Sequence, residues 1–496
     1  MSQADLPRSL GVSGATAPTP EEAPGVLARA AARFTAWAER WIPDPFVFAL
    51  LATVVVAAAA YATLLPEAGP LGAAVKVASI WGDGFWELLT FTLQMALIII
   101  TGYVAATTRP VFRLIVALAS VPRSPRAAVA WVALLAMLSS WLNWGFSLIF
   151  SAMLAREVAR RREDVDYRAV CASAFLGLGS VWAQGLSGSA ALQMATASAL
   201  QPALRDVVAR GGVVPGGVIP LTHTIFLWQS LASVAVEVLL VTAVMWFAAP
   251  VGPAARSAAA LGVDLGPSPL DAPAPPRRHT PGEWLEHQPW LSVALVALAV
   301  GFLAHHFASA PSAVSALTLN TLNLLFLTLG VALHGTPARL MRAVKEATPG
   351  VWGVLLQFPL YAGLAALIVK THLNEAIASL FVGVSTPATF PALVAMYSAA
   401  LGVFVPSGGS KWVIEAPYVM QAAHDLQVHL GWMVAVYDLG EALANLVQPF
   451  WMLPVLGLFG LKARDVMGYT FLVFLVLLPV VLVLVTALGL TLRYPL

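Results

Sequence analysis

LGVFVPSGGSKWVIEAP (401–417) is the stretch that decides the architecture. An apolar run stops at a proline and four small residues, Ser407, Gly408, Gly409 and Ser410, then resumes around Lys411 and Glu415. The chain around it has 496 residues, of which 59% are hydrophobic and 10% charged. A soluble domain carries about 25% charged residues. Mean hydropathy is +0.81 over the whole length, so the setting is a bilayer. Backbone amides and carbonyls find no partner in hydrocarbon, so an irregular turn at depth is tolerated only where protein or a ligand covers it. The apolar segment 390–423 is too interrupted for one helix, and each half is short for a span. It reads as a helical hairpin that enters and returns on the same side. WLNWGFSLIFSAML (141–154) has the same character, with its turn at Asn143, and gives a second hairpin over 127–155.

Outward from the hairpins, apolar blocks predict membrane helices near 45–65, 84–106, 168–200, 221–249, 289–307, 314–334, 350–370, 430–459 and 467–492. A hydrocarbon core of roughly 30 Å takes about 20 helical residues to cross. The blocks beginning at 168 and 430 are interrupted, near Gly185 and Gln448. The expected fold class is an all-α polytopic membrane protein. Residues 1–25 read as a disordered tail, with no apolar core or cleavage pattern of a signal peptide. Residues 26–42 (VLARAAARFTAWAERW and its flank) read as an interfacial amphipathic helix. The Pro-rich stretch 250–288 reads as a cytoplasmic linker between repeats 43–249 and 314–496, with 289–313 as a connecting helix.

Charge supports this layout. With the N-terminus in the cytoplasm, 21 of the 27 Lys and Arg residues face inward; the exceptions are Lys76, Arg205, Arg210, Lys370, Arg493 and the hairpin residue Lys411. That is the asymmetry of a correct topology. The net charge of +2 gives no footprint for nucleic acid, and the single Cys171 excludes a disulfide framework. No zinc-protease, Walker or dinucleotide motif is present, so no cofactor is expected beyond a coupling proton or sodium ion.

Interruptions recur at one spacing. Gln94 and Gln357, Asn143 and Pro406, Gly185 and Gln448 are each 263 positions apart. Five spans separate the two openings, an odd number, so the second copy is inverted and the hairpins enter from opposite sides. Substrate-binding candidates follow from the tips and breaks: Asn143, Trp144, Gly145 and Ser147 at the first tip; Ser187, Gly188 and Ser189 at the first break. The second half supplies Ser407, Gly408, Gly409, Ser410 and Lys411 at its tip, and Gln448 and Phe450 at its break. Gln94 and Gln357 join them from mid-span. Small polar turns expose amides, and the half-helix N-terminus behind them favours an anion. The intramembrane acids Glu415, Asp438 and Glu441 are proton-coupling candidates, since a charge at depth is expensive unless functional. Glu237 and His223 are weaker candidates. Each of these features also has a plain packing explanation, the glutamines as helix cross-links and the small residues as close-contact points.

Several stretches then resemble the bacterial short-chain fatty acid transporter family: WIPDPFVFALL (41–51), WGDGFWELL (81–89), LQMALIIITGY (93–103), NWGFSLIFSAMLAREVARR (143–161), NTLNLLFLTLGVALHGTP (320–337), FVPSGGSKWVIEAP (404–417) and QPFWMLPVLGL (448–458). The resemblance runs from about residue 33 to the C-terminus, except for the 250–288 linker. It implies a secondary carrier for small monocarboxylates such as acetoacetate or butyrate in the bacterial cytoplasmic (inner) membrane. The family is similar to dicarboxylate carriers of the ion transporter superfamily, which implies inverted repeats, opposed hairpins and an elevator-type homodimer. Neither tip carries the Ser-Asn-Thr of the sodium-dependent branch, so the resemblance brings no sodium site with it. Competing readings are a carrier of another organic anion (a dicarboxylate or amino-acid derivative), a membrane-embedded enzyme, and a passive channel. The enzyme would need a clustered acid, base or nucleophile that the sequence does not present.

Overall fold

The computed structural model describes residues 45–266, 280–314, 316–405, 408–448 and 450–496. The expected tail (1–25), interfacial helix (26–42) and the middle of the linker lie outside the described residues, as does Ser407. Among the described residues the regular structure is entirely helical, without a strand.

The first half runs α1 (Pro45–Gly84), α2 (Leu89–Ala106), α3 (Arg109–Ala119), α4 (Pro125–Leu142), α5 (Trp144–Arg161), α6 (Tyr167–Ser180), α7 (Ser189–Ala195), α8 (Pro202–Val208) and α9 (Trp228–Ala248). The second runs α10 (Pro281–Glu286), α11 (Pro289–Ser309), α12 (Leu319–His334), α13 (Pro337–Ala347), α14 (Trp352–Lys370) and α15 (Leu373–Val384). It ends with α16 (Phe390–Phe404), α17 (Gly408–Asp425), α18 (Leu430–Ala444), α19 (Leu453–Phe459) and α20 (Ala463–Gly489). Seven of these helices are long and apolar enough to cross a membrane, which makes this a multi-pass membrane protein.

Helix starts recur along the chain. Moving those of α2 to α7 by 263–265 positions gives those of α14 to α19. The caps recur too. Asp166 accepts the Ala169 N–H at 2.9 Å to open α6, and His429, 263 positions on, accepts the Trp432 N–H at 2.9 Å to open α18. Each side chain satisfies an amide that the helix itself leaves unpaired. α6 and α18 are predominantly apolar, apart from Arg168 on α6 and Asp438 and Glu441 on α18, and sit at the centre, with all of α18 and nearly all of α6 buried. Such a helix belongs in the interior. α4 and α5 pack on α6, α16 and α17 on α18, and α2 and α14 flank the group.

Several boundaries differ from the sequence expectation. The first helical stretch passes residue 65 by only a few residues before it breaks at Gly69, where φ is 67° and ψ 172°, and a second stretch, opened by Pro70, runs on to Gly84. Pro66 costs a backbone bond, and the glycine absorbs the change of direction. α3 and α13 are helical where cationic connections were expected; each opens on a proline in its first turn, and their Arg and Lys residues lie on one solvated face. The 221–249 span begins only at Trp228, because Leu221–His223 forms a 3-10 turn. The arms of the first hairpin are 18 residues each, or about 27 Å of helix, longer than the broken sequence suggested.

Candidate functional site

Asn143 forms the first tip. Its extended backbone (φ −158°, ψ 118°) ends α4, and its Oδ1 caps α5 by accepting the Phe146 N–H at 2.8 Å. The Trp144 N–H donates to Ser187 Oγ at 2.9 Å, and the Leu186 N–H donates to the Trp141 carbonyl at 2.7 Å. Those two bonds fasten the tip to the break between α6 and α7. Ser147 is held inside the hairpin by Ser139 Oγ at 2.9 Å and the Ala136 carbonyl at 2.8 Å. Gly145 faces α2 at close range: a methyl group there would lie 3.4 Å from the Ile98 carbonyl.

The second tip opens α17 at Gly408 and Gly409. A Cβ on Gly408 would fall 2.5 Å from Trp182 Cη2, so no side chain fits between the second tip and the first break. A Cβ on Gly409 would stand 3.2 Å from both Phe358 Cζ and Ser189 Cβ. The tips and breaks therefore converge. Between them lies a small cavity of about 30 Å³, with Trp144 from the first tip, Gly408 and Gly409 from the second, and Trp182 and Ser189 from the first break. Asn445 and Trp451 come from the second break; Met95, Ile99, Val354 and Phe358 close it from α2 and α14. Among the described residues no charged side chain is in this wall.

Behind Gly408 is a buried charged cluster. Lys411 is 0% exposed, as is Glu415, and Glu441 is 1% exposed. The Lys411 ammonium is ion-paired with Glu441, stands 3.4 Å from Glu415 Oε1, and donates to the Ser398 carbonyl. It also lies 4.9 Å from the centroid of the Tyr437 ring. Glu415 accepts from the Ser398 hydroxyl, and the Tyr437 hydroxyl donates to the Gly408 carbonyl. Asp438 is buried one turn from Glu441, and its Oδ2 has no hydrogen-bond partner among the described residues. The cluster thus reaches the cavity through the Tyr437–Gly408 bond, while Lys411 itself faces carboxylates and not the cavity.

Other candidates are placed elsewhere. Gln94 is buried in a cross-link between α2 and α12, donating to Asn320 Oδ1 at 2.7 Å, while its carbonyl accepts from Asn323 at 2.8 Å. Gln357 is buried on α14, one residue before the wall residue Phe358. Gln448 donates to Asn445 Oδ1 at 2.7 Å and so supports the wall from behind. Gly188 is packed against the Ala183 carbonyl beneath Ser189. The side chains of Ser410 and Phe450 lie outside the described residues. Phe146, next to Gly145 at the first tip, stacks on Phe150 at 5.2 Å and is not in the wall. Trp182, Asn445 and Trp451 were missed. Trp182 and Asn445 are 263 positions apart, so the repeat spacing applied to either break would have found them.

A family model described as Short chain fatty acid transporter matches residues 26–490. A protein of Escherichia coli (strain K12), provisionally named a short-chain fatty acid transporter, is 35% identical over 447 residues, 90% of this chain and 96% of that one. A protein of Haemophilus influenzae with the same provisional name is 33% identical with the same coverage. Among solved structures, the YdaH transporter of Alcanivorax borkumensis, reported as having an unusual topology, aligns with a TM-score of 0.57 at 15% identity, over 90% of this chain and 98% of that one. MtrF of Neisseria gonorrhoeae, reported within a class of antimetabolite efflux pumps, aligns with a TM-score of 0.58 at 12% identity, over 92% and 97%. These relatives are transporters, not enzymes, and the match of residues 26–490 together with 33–35% identity over 90% of the sequence places this chain in the short-chain fatty acid transporter family.

Proposed function

We propose that the protein is a proton-coupled secondary carrier that moves short monocarboxylates across the bacterial cytoplasmic membrane, with its N-terminus inside. The cavity between the two tips carries this reading. Its apolar wall suits a short acyl chain, and the start of α17 at Gly408 turns free amides and a helix dipole towards a carboxylate. The arrangement of α2–α7 and α14–α19 is then an inverted repeat with opposed hairpins.

Coupling follows from counting charge. Glu415 and Glu441 flank a single ammonium in a fully buried space, with Asp438 buried one turn from Glu441. With every acid ionised, the cluster would carry two net negative charges immediately behind the site that receives an anion. Adding protons removes that repulsion, so proton binding and substrate binding favour one another. A sodium ion is a poorer fit, because Lys411 already occupies the centre of the carboxylate group, while a proton needs no space of its own.

Movement is of the elevator type, in a homodimer. The cavity wall is divided between α2 and α14 on one side and the hairpins with their broken helices on the other. Gly102 of α2 meets the first tip with no room for a methyl group, 2.6 Å from Asn143 Oδ1. A smooth contact of this kind lets one unit slide past its neighbour.

The substrate class is tested in proteoliposomes by competition of carboxylates from two to six carbons against labelled acetoacetate. Selective competition by short monocarboxylates is expected. Equal or better competition by dicarboxylates or amino-acid derivatives would replace this reading with that of another organic anion carrier.

A further inference from the structure

A buried hydrogen-bond donor is rarely left without an acceptor, yet the cavity wall contains two. Trp144 and Trp182 are each 6% exposed, and the indole N–H of each has no acceptor among the described residues. Both rings belong to the wall, one from the first tip and one from the first break, in an edge-to-face pair with centroids 6.1 Å apart. The broad side of their neighbourhood is apolar, and among the described residues the wall holds no Lys, Arg or His. The other polar side chains there, among the described residues, are Ser189, Asn445 and the Trp451 indole, and the Asn445 amide is already committed to the Leu178 carbonyl at 3.0 Å. Trp182 also leans directly over Gly408, at the opening of α17.

From these two orphaned donors we infer that the indole N–H groups of Trp144 and Trp182 bind the carboxylate of the transported substrate. They are specificity-determining residues for an anionic head on a short chain. The inference rests on the carrier reading above and deepens it. Each N–H stands in a low-dielectric wall without an acceptor among the described residues, at a cost that a carboxylate oxygen removes. Neutral donors also explain how an anion is held where Lys411 is out of reach. They confer selectivity against an uncharged isostere, because a hydrogen bond to a charged acceptor is stronger than one to a neutral acceptor.

The test replaces each tryptophan by phenylalanine, which keeps an aromatic ring and removes the donor. In the purified full chain, Trp144→Phe and Trp182→Phe should each weaken butyrate binding about tenfold, as expected for one lost charge-assisted bond, while binding of butyramide changes much less. Ultraviolet resonance Raman spectroscopy of the unmodified protein provides a second reading that needs no variant. Butyrate should shift the indole N–H-sensitive band, and butyramide should shift it less. Equal weakening of both ligands, or an unshifted band at saturating butyrate, would overturn the inference and leave the carrier reading in place. Absence of any short-chain carboxylate binding by the unmodified protein would instead remove the carrier reading itself.

Discussion

Asn445 donates to the main-chain oxygen of Leu178 at 3.0 Å, and so joins the broken helix of one half to that of the other. Leu178 lies near the end of α6, where carbonyls lack helical partners, and Gln448 holds Asn445 in place. Asn445→Ala leaves that carbonyl unsatisfied in a buried site. Such a loss costs about 1–3 kcal/mol. A thermal unfolding series in detergent should show a lowered midpoint, and acetoacetate uptake should fall with it.

The Lys411 cluster allows a comparison of single and double variants. Lys411→Met leaves acids buried without their cation and should destabilise by about 3–5 kcal/mol, the range for breaking a buried ion pair. Adding Glu441→Met removes the uncompensated partner, so the double variant should be more stable than the single. Neither should accumulate substrate. Chemical denaturation in mixed micelles, paired with uptake, separates the two effects, and a double variant less stable than Lys411→Met would refute the pairing.

Gly409 sets the room available for the acyl chain. A Cβ there already meets Phe358 and Ser189 at 3.2 Å, and a larger side chain must project into the cavity. Gly409→Val should reduce competition by five- and six-carbon acids more than by acetate. Overpacking of this kind also costs about 1–3 kcal/mol, so expression and melting are measured alongside the competition profile.

His429, in the turn ahead of α18, links pH to stability. Burial and the neighbouring His223 pull its imidazole down to about 4, from an ordinary value of about 6.5. The neutral ring accepts the Trp432 N–H, so the unfolded chain takes up a proton that the folded chain resists. Stability is complete above about pH 6.5 and declines as pH falls towards 4. His429→Asn keeps a capping oxygen and removes the titration, so the melting midpoint of this variant should change less between pH 7 and pH 4.5 than that of the unmodified protein.

The tips were legible because glycine, serine and asparagine in the middle of apolar runs contradict a continuous helix; Asn143 and Gly408 stand at helix ends as their chemistry demands. The recurring spacing was legible through its interruptions, not through residue identity, since Asp166 and His429 perform the same capping task with different side chains. Partners were not legible. Nothing local to Gln94 announces Asn320, 226 positions away, and nothing local to Lys411 distinguishes a substrate contact from burial against Glu441. The short helices α3 and α13 were passed over because their cationic faces resemble loops when only hydrophobicity is read.

The central claim is tested most directly by the driving force. Proteoliposomes are loaded at high pH, diluted into labelled acetoacetate at lower pH with the membrane potential clamped, and followed in the presence and absence of sodium. The account predicts accumulation above equilibrium that is abolished by a protonophore, independent of sodium and absent in Glu441→Gln. Uptake with the same time course with or without the pH difference, or accumulation that requires sodium, would contradict it.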